Sequence, residues 1–157
     1  MLNPRIIADA IVSALRTIPD LVAAMAGEAS RISAYHYLYG ADNRLDLAIN
    51  KMKPPSILVV FEGTQPGDFD GSTIWKHHFC VYIRVATAAN MVLPLSYEDI
   101  WTLIVNEPVN GGAQNIRSVN LVDGVDIMDT PGIIHMLDED RMDYFAARFV
   151  IPEIGDN

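Results

Sequence analysis

Helical spacing of apolar residues marks the first third of the chain. Ile7, Ile11, Leu15 and Ile18 fall on one face, and Asn3-Pro4 is typical of a helix start, so the pattern predicts a helix over about residues 4–17. Pro19 interrupts that helix, which predicts a second short helix in "PDLVAAMAG", with Gly27 as its stop. The segment "EASRISAYHYLYGADN" has no clean period and is predicted to be a loop.

Two further helices are predicted downstream. The segment "RLDLAINKM" places Leu45, Ala48, Ile49 and Met52 on one helical face. The segment "YEDIWTLIV" follows Ser96, a favourable capping residue, and places Trp101 and Ile104 together on a buried face.

Strand patterns occupy the middle and the end of the chain. The continuous apolar run in "SILVVFEG" predicts a central strand buried on both faces. The turn-type residues of "TQPGDFDGST" predict a long loop, which joins this strand to "STIWKHHFCVYIRVA" in a hairpin. In "MDYFAARFVIPEI", Phe145, Ala147, Phe149 and Ile151 alternate with the residues between them and predict a final strand.

Composition limits the classes of protein. A chain of 157 residues, half of them hydrophobic, predicts one domain with a single core over residues 1–157. The apolar runs are too short to cross a bilayer and no secretory leader is evident, so we expect a protein without a membrane partner, made in the cytoplasm. Cys80 is the single cysteine, which excludes an internal disulfide. The 20 acidic against 11 basic residues argue against a sequence-specific DNA reader.

The acidity is concentrated in the C-terminal part, residues 121–157, which holds nine acids against Arg141 and Arg148. One interpretation is a solvated loop and tail that keep the protein soluble. The other is a surface that repels polyanions such as DNA.

The strand from Ser72 carries the most reactive side chains. Alternation separates His77 from His78, and places His78 on one face with Lys76, Cys80, Tyr82 and Arg84. A metal site needs three or four ligands, and the sequence around His78 and Cys80 does not supply them. A thiol nucleophile needs a base that is held in position, and this segment does not supply one either. Phosphate-loop, calcium-loop and G-x-S-x-G signatures are also missing. We therefore expect no enzyme, no cofactor and no metal, and a face typical of a half-exposed sheet surface or a protein interface.

The order of the segments carries a resemblance. The chain contains, in order, an N-terminal helix, the phrase "AINKMKPPSILVVFEGT", a hairpin into "WKHHFCVYIRVA", the helix "SYEDIWTLIVN" and the closing "YFAARFVIPEI". In this order the segments resemble the tail-terminator and tail-completion (minor tail) proteins of long-tailed bacteriophages, over about residues 4–152. The resemblance implies an α+β fold with a mainly antiparallel sheet of four or slightly more strands flanked by helices. It also implies a hexameric ring in the virion, at the head-proximal end of the tail, with the tail tube protein and a neck or connector protein as partners.

Two sets of residues follow as expectations from that resemblance. Genomic DNA would pass through a ring without specific contacts, and an acidic lumen would repel its phosphates. The candidate lumen residues are Asp123, Asp126, Asp129, Asp138, Glu139 and Asp140. Ring closure needs head-to-tail contacts between two different patches, and the candidate interface residues are Asp68, Asp70, Ser72, Tyr82 and Arg84.

Three alternatives stay open. The second helical stretch and the "DGVDIMDTPG" insert depart from the expected pattern, so the chain could be another head-tail neck or minor tail protein. It could also be a small adaptor that binds a peptide at a sheet edge. An undescribed enzyme that uses His78 and Cys80 is the third alternative.

Overall fold

The computed structural model describes residues 1–36, 52–69, 71–84, 97–117, 137–138 and 144–154. The helices in these ranges are α1 (Pro4–Leu15), α2 (Pro19–Ala24) and α3 (Tyr97–Asn106), together with a 3-10 turn at Ala29–Arg31. The strands are β1 (Ile32–Tyr35), β2 (Ser56–Phe69), β3 (Ser72–Arg84), β4 (Leu137–Asp138) and β5 (Tyr144–Ile154). No helix of the described ranges is both long enough and apolar enough to span a membrane.

The strands form one mixed sheet in the order β1-β2-β3-β5-β4, with helices packed against it, so the α+β class is confirmed. The pairs β2–β3, β3–β5 and β4–β5 are antiparallel, but β1 runs parallel to β2, with Ile32 opposite Ile57 and Tyr35 opposite Val60. The loop predicted for this segment is therefore wrong at Ile32–Tyr35. Four residues are too few for a period to show, and the backbone hydrogen bonds come from a distant strand.

The first face of the sheet carries the main core. Ile57 and Val59 of β2, Phe79 and Val81 of β3, and Phe149 of β5 are fully buried there. They pack against the buried faces of α1, α2 and α3, including Ile7, Ile11, Leu15, Ile18, Ile100 and Ile104. The two-sided burial predicted for β2 is confirmed, because Leu58 and Val60, which point to the other face, are also buried.

The helix boundaries follow their capping groups. The Asn3 side chain accepts a hydrogen bond from Arg5 N at 2.9 Å, which confirms the predicted start of α1, whereas the helix ends at Leu15 and not near residue 17. After α2 the backbone enters the left-handed region at Ala26 (φ 57°) and Gly27 (φ 74°). Gly27 N–H donates to Val22 O at 3.0 Å, which is the closing bond of a Schellman motif with alanine in the usual glycine position.

The connection between β2 and β3 differs from its prediction. The ladder continues to Phe69 opposite Ser72, so the long loop is wrong and two residues make the turn. Gly71 has φ 78°, and an Asp-Gly pair favours two-residue hairpin turns. The register shifts by one residue between Phe61 and Gly63, which is a β-bulge at Glu62.

Several predictions fall on other parts of the chain. The helix predicted at residues 45–52, apart from Met52, and the cap at Ser96 lie outside the described residues. Most of the acidic C-terminal part lies outside them too, since residues 118–136 and 139–143 are not described.

Candidate functional site

The second face of the sheet is divided into two halves. In the covered half, Leu58, Val60 and Cys80 are buried, and Tyr35, Met52 and Tyr82 pack around Leu58 and Val60. Arg84 also lies in this half, where its Nη1 donates to Met52 O at 2.6 Å. Tyr82 and Arg84, two of the predicted interface residues, are thus largely engaged within the chain itself.

The other half is open to solvent. We define the open half-face as Glu62, Gly63, Gln65, Lys76, His78, Arg148 and Val150, which share one side by strand alternation and register. A groove of about 390 Å³ runs over it, lined by Glu62, Gly63, Thr64, Gln65, His78 and Arg148. Gly63 lies opposite His78, and no atom lies within 4 Å of the position that a Cβ would take there. The missing side chain deepens the groove.

An ion pair spans the open half-face. Arg148 Nε of β5 donates to Glu62 Oε1 of β2 at 3.0 Å, so the pair crosses over β3, which lies between those strands. The hydrogen bond and the charge of Glu62 raise the pKa of the Arg148 guanidinium above its ordinary value. Both side chains are partly exposed, at 42% for Arg148 and 30% for Glu62, so the pair contributes little to stability.

His78 adds an unsatisfied group beside this pair. Its Nε2 is shielded from solvent and has no hydrogen-bond partner among the described residues. Buried polar atoms in native proteins are nearly always hydrogen-bonded, so this nitrogen at the wall of the groove calls for a partner outside the described residues. Lys76 is exposed on the same side, two residues earlier along β3.

The predicted interface residues are not brought together. Asp68 is exposed near the hairpin turn, Ser72 pairs with Phe69 through its backbone, and Asp70 lies outside the described residues. Tyr82 lies ten residues along β3 from Ser72. A strand rises about 3.3 Å per residue, so the two groups are on the order of 30 Å apart. They cannot form one contiguous patch.

A buried polar network lies on the first face and was missed by the sequence reasoning. His77 is fully buried, and its Nε2 lies 2.6 Å from Glu153 Oε2, while its Nδ1 lies 2.8 Å from Thr64 Oγ1. Leu2 N–H donates to both oxygens of Glu153, at 2.8 and 3.2 Å. A neutral imidazole that donates from Nε2 and accepts at Nδ1 satisfies every one of these contacts.

Thr64, His77 and Glu153 follow one another as hydroxyl, imidazole and carboxylate, which is the order found in catalytic triads. The burial of His77 and Glu153 nevertheless indicates that the three residues connect parts of the fold and do not act on a substrate. His77 is 0% exposed, which leaves no room for a substrate at the imidazole, and Leu2 N–H occupies both Glu153 oxygens. The contacts join β2, β3, β5 and the segment before α1. Since Glu153 is buried, it does not belong to an acidic surface, although it counts among the nine acids of residues 121–157.

One signal in the sequence could have revealed half of this network. A two-residue turn at Asp70–Gly71 places Thr64 opposite His77 in the ladder. Glu153 continues the alternation of Phe149 and Ile151 on the core face, but its pairing with β3 depends on a long connection that no local pattern specifies.

Other candidate chemistry has little geometric support. Cys80 is 1% exposed, so the proposed partnership of His78 and Cys80 lacks an accessible thiol. Within the described ranges, no three His, Cys, Asp or Glu side chains converge on a possible metal ion. Of the candidate lumen acids, only Asp138 is described, as a β4 residue whose backbone pairs with Phe145.

No protein-family model matches this chain, and a search of curated proteins finds no relative.

Proposed function

We propose that this protein is a structural subunit of a bacteriophage virion, a tail terminator that caps the tail tube as a hexameric ring and joins it to the neck of the capsid. The observation that carries the proposal is the order of the elements: the N-terminal helix α1, a long central hairpin, the helix α3 and a closing strand beside β3. This is the order on which the resemblance to tail-terminator and tail-completion proteins rests.

The sheet edges argue against the adaptor alternative. Beyond Val60, β2 has no neighbour on the β1 side in the described part of the chain, and beyond Ala146, β5 has none on the β4 side. Each of these open edges contains a proline, Pro66 in β2 and Pro152 in β5, and β2 also has the bulge at Glu62. Prolines and bulges obstruct the addition of a strand, so a peptide-binding edge is disfavoured.

Contacts through the two broad faces of the subunit are the arrangement that remains for its assembly. A ring needs two different surfaces on each subunit, because one patch meets a different patch on the neighbour. The open half-face lies on one side of the sheet, and α1, α2 and α3 form the opposite layer. The subunit therefore has two distinct outward surfaces of the kind that a head-to-tail contact requires.

The charge of the chain supports the passage of DNA through the ring. The formal net charge is −9, and residues 121–157 hold nine acids against two arginines, although the buried Glu153 is not available to a lumen. In the proposed ring, Asp123, Asp126, Asp129, Asp138, Glu139 and Asp140 line the lumen and repel the DNA phosphates.

Multi-angle light scattering of the purified protein, alone and mixed with tail tubes, tests the proposal. We expect a species of six chains, formed at high concentration or on the tube ends. A protein that stays a monomer at high concentration and leaves the tubes uncapped would contradict the proposed function.

A further inference from the structure

The open half-face differs in charge from the chain as a whole. Lys76 and Arg148 are cationic and Glu62 offsets one of these charges, so the patch carries a net positive charge. The full chain carries a net charge of −9. A basic patch with an unsatisfied imidazole on an acidic protein is complementary to an acidic surface of the same protein.

An acidic surface is present on the opposite layer. The first turn of α3 carries Glu98 and Asp99, both exposed, and the helix contains no Lys or Arg. Trp101 packs on Phe149 with ring centroids 5.4 Å apart, which fixes α3 on the first face of the sheet. Its exposed acids and the open half-face are thus on opposite sides of one subunit.

We propose that the open half-face binds the acidic first turn of α3 from a second copy of this chain, with Glu98 placed near Lys76 and His78. The contact is head-to-tail, because each subunit keeps one surface of each kind for the next subunit. This inference rests on the proposed function and identifies the surfaces that would close the ring.

The geometry of the groove suits a carboxylate ligand. In the described part of the chain, Arg148 donates to Glu62 through Nε, which leaves its Nη groups available as donors. An incoming carboxylate could accept from this guanidinium and would lie beside the His78 ring. Because the charges are at the surface, we also expect the association to weaken as salt is added.

Charge reversal tests the contact. We expect Lys76→Glu and Glu98→Lys each to weaken self-association by about tenfold or more, since each places like charges together. The double variant should recover most of the wild-type affinity, because it restores opposite charges.

Lys53→Glu is the matched control: Lys53 is exposed and lies outside both surfaces, so the association of this variant should be close to that of the wild type. Sedimentation equilibrium gives the association constants, and circular dichroism checks that each variant is folded.

The outcomes separate this inference from the proposed function. If the wild-type chain does not associate, both fail. If it associates and Lys76→Glu does so equally well, the inference alone fails. If Lys76→Glu weakens association but Glu98→Lys does not, the acid comes from elsewhere and the assignment to α3 is overturned.

Discussion

At the scale of single residues, the stability of the buried polar network depends most on the side chain of Glu153. It is buried and accepts hydrogen bonds from His77 and from Leu2 N–H. Replacing it by alanine leaves two donors without acceptors, so we expect Glu153→Ala to lower the free energy of unfolding by about 2–4 kcal/mol. Urea denaturation measures this change.

Glu62→Ala is the matched control for that change. Glu62 is also a strand glutamate with a side-chain partner, but its ion pair with Arg148 is partly exposed, so the loss should stay below about 1 kcal/mol. Glu153→Gln keeps one acceptor oxygen and should fall between the two. Equal losses for Glu153→Ala and Glu62→Ala would contradict a structural role for the buried network.

Ala26 provides a second test at this scale. Its φ of 57° is a left-handed conformation that costs alanine more than glycine, so Ala26→Gly should stabilise the protein by about 0.5–1 kcal/mol. Ala23 is exposed within α2, and Ala23→Gly should destabilise it by about 0.5–1 kcal/mol. Thermal unfolding of the two variants should therefore show shifts of opposite sign.

At the scale of elements, the docking of α3 depends on Trp101. It is 8% exposed and contacts Phe149 of β5. We expect Trp101→Ala to cost about 3–5 kcal/mol and to increase hydrogen exchange in α3 more than in α1. Thr102, its neighbour, is exposed and donates to Glu98 O, so Thr102→Ala should cost less than about 0.5 kcal/mol. Uniform exchange across both helices would refute the local effect.

The elements also show what the sequence could and could not predict. The starts of α1 and α2 and the strand pattern of β5 follow from local spacing and capping, and these were predicted. β1 and the pairing of His77 with Glu153 depend on strands distant in the chain, and these were missed. The turn residues Pro66 and Gly67 suggested a loop, but an edge strand accepts proline, and the ladder continues to Phe69 opposite Ser72.

The candidate interface illustrates the same limit. Alternation correctly separated the two faces of β3, but it could not show that Tyr82 lies in a covered half and Lys76 in an open one. Coverage depends on which other segments pack there. Arg148, the second cation of the open half-face, was known from sequence only as a member of the final strand.

At the scale of the whole molecule, the acidic lumen is the part of the proposal that charge can test. Changing Asp123, Asp126, Asp129, Asp138, Glu139 and Asp140 to lysine replaces six negative charges per subunit by six positive ones and turns the formal net charge from −9 to +3. In the proposed ring this change should create measurable binding of double-stranded DNA at low salt, which disappears as salt is added. The wild-type ring should bind none. Electrophoretic mobility measures both, and DNA binding equal to that of wild type would refute the assignment of these acids.

The central claim is that this chain acts as a repeated building block at the end of a tail tube. Electron cryomicroscopy of tails assembled with the protein tests it most directly. We expect a single closed ring of six copies at one end of each tube, with the open half-face of each copy against the next. Copies distributed along the tube, or tube ends without any ring, would contradict it.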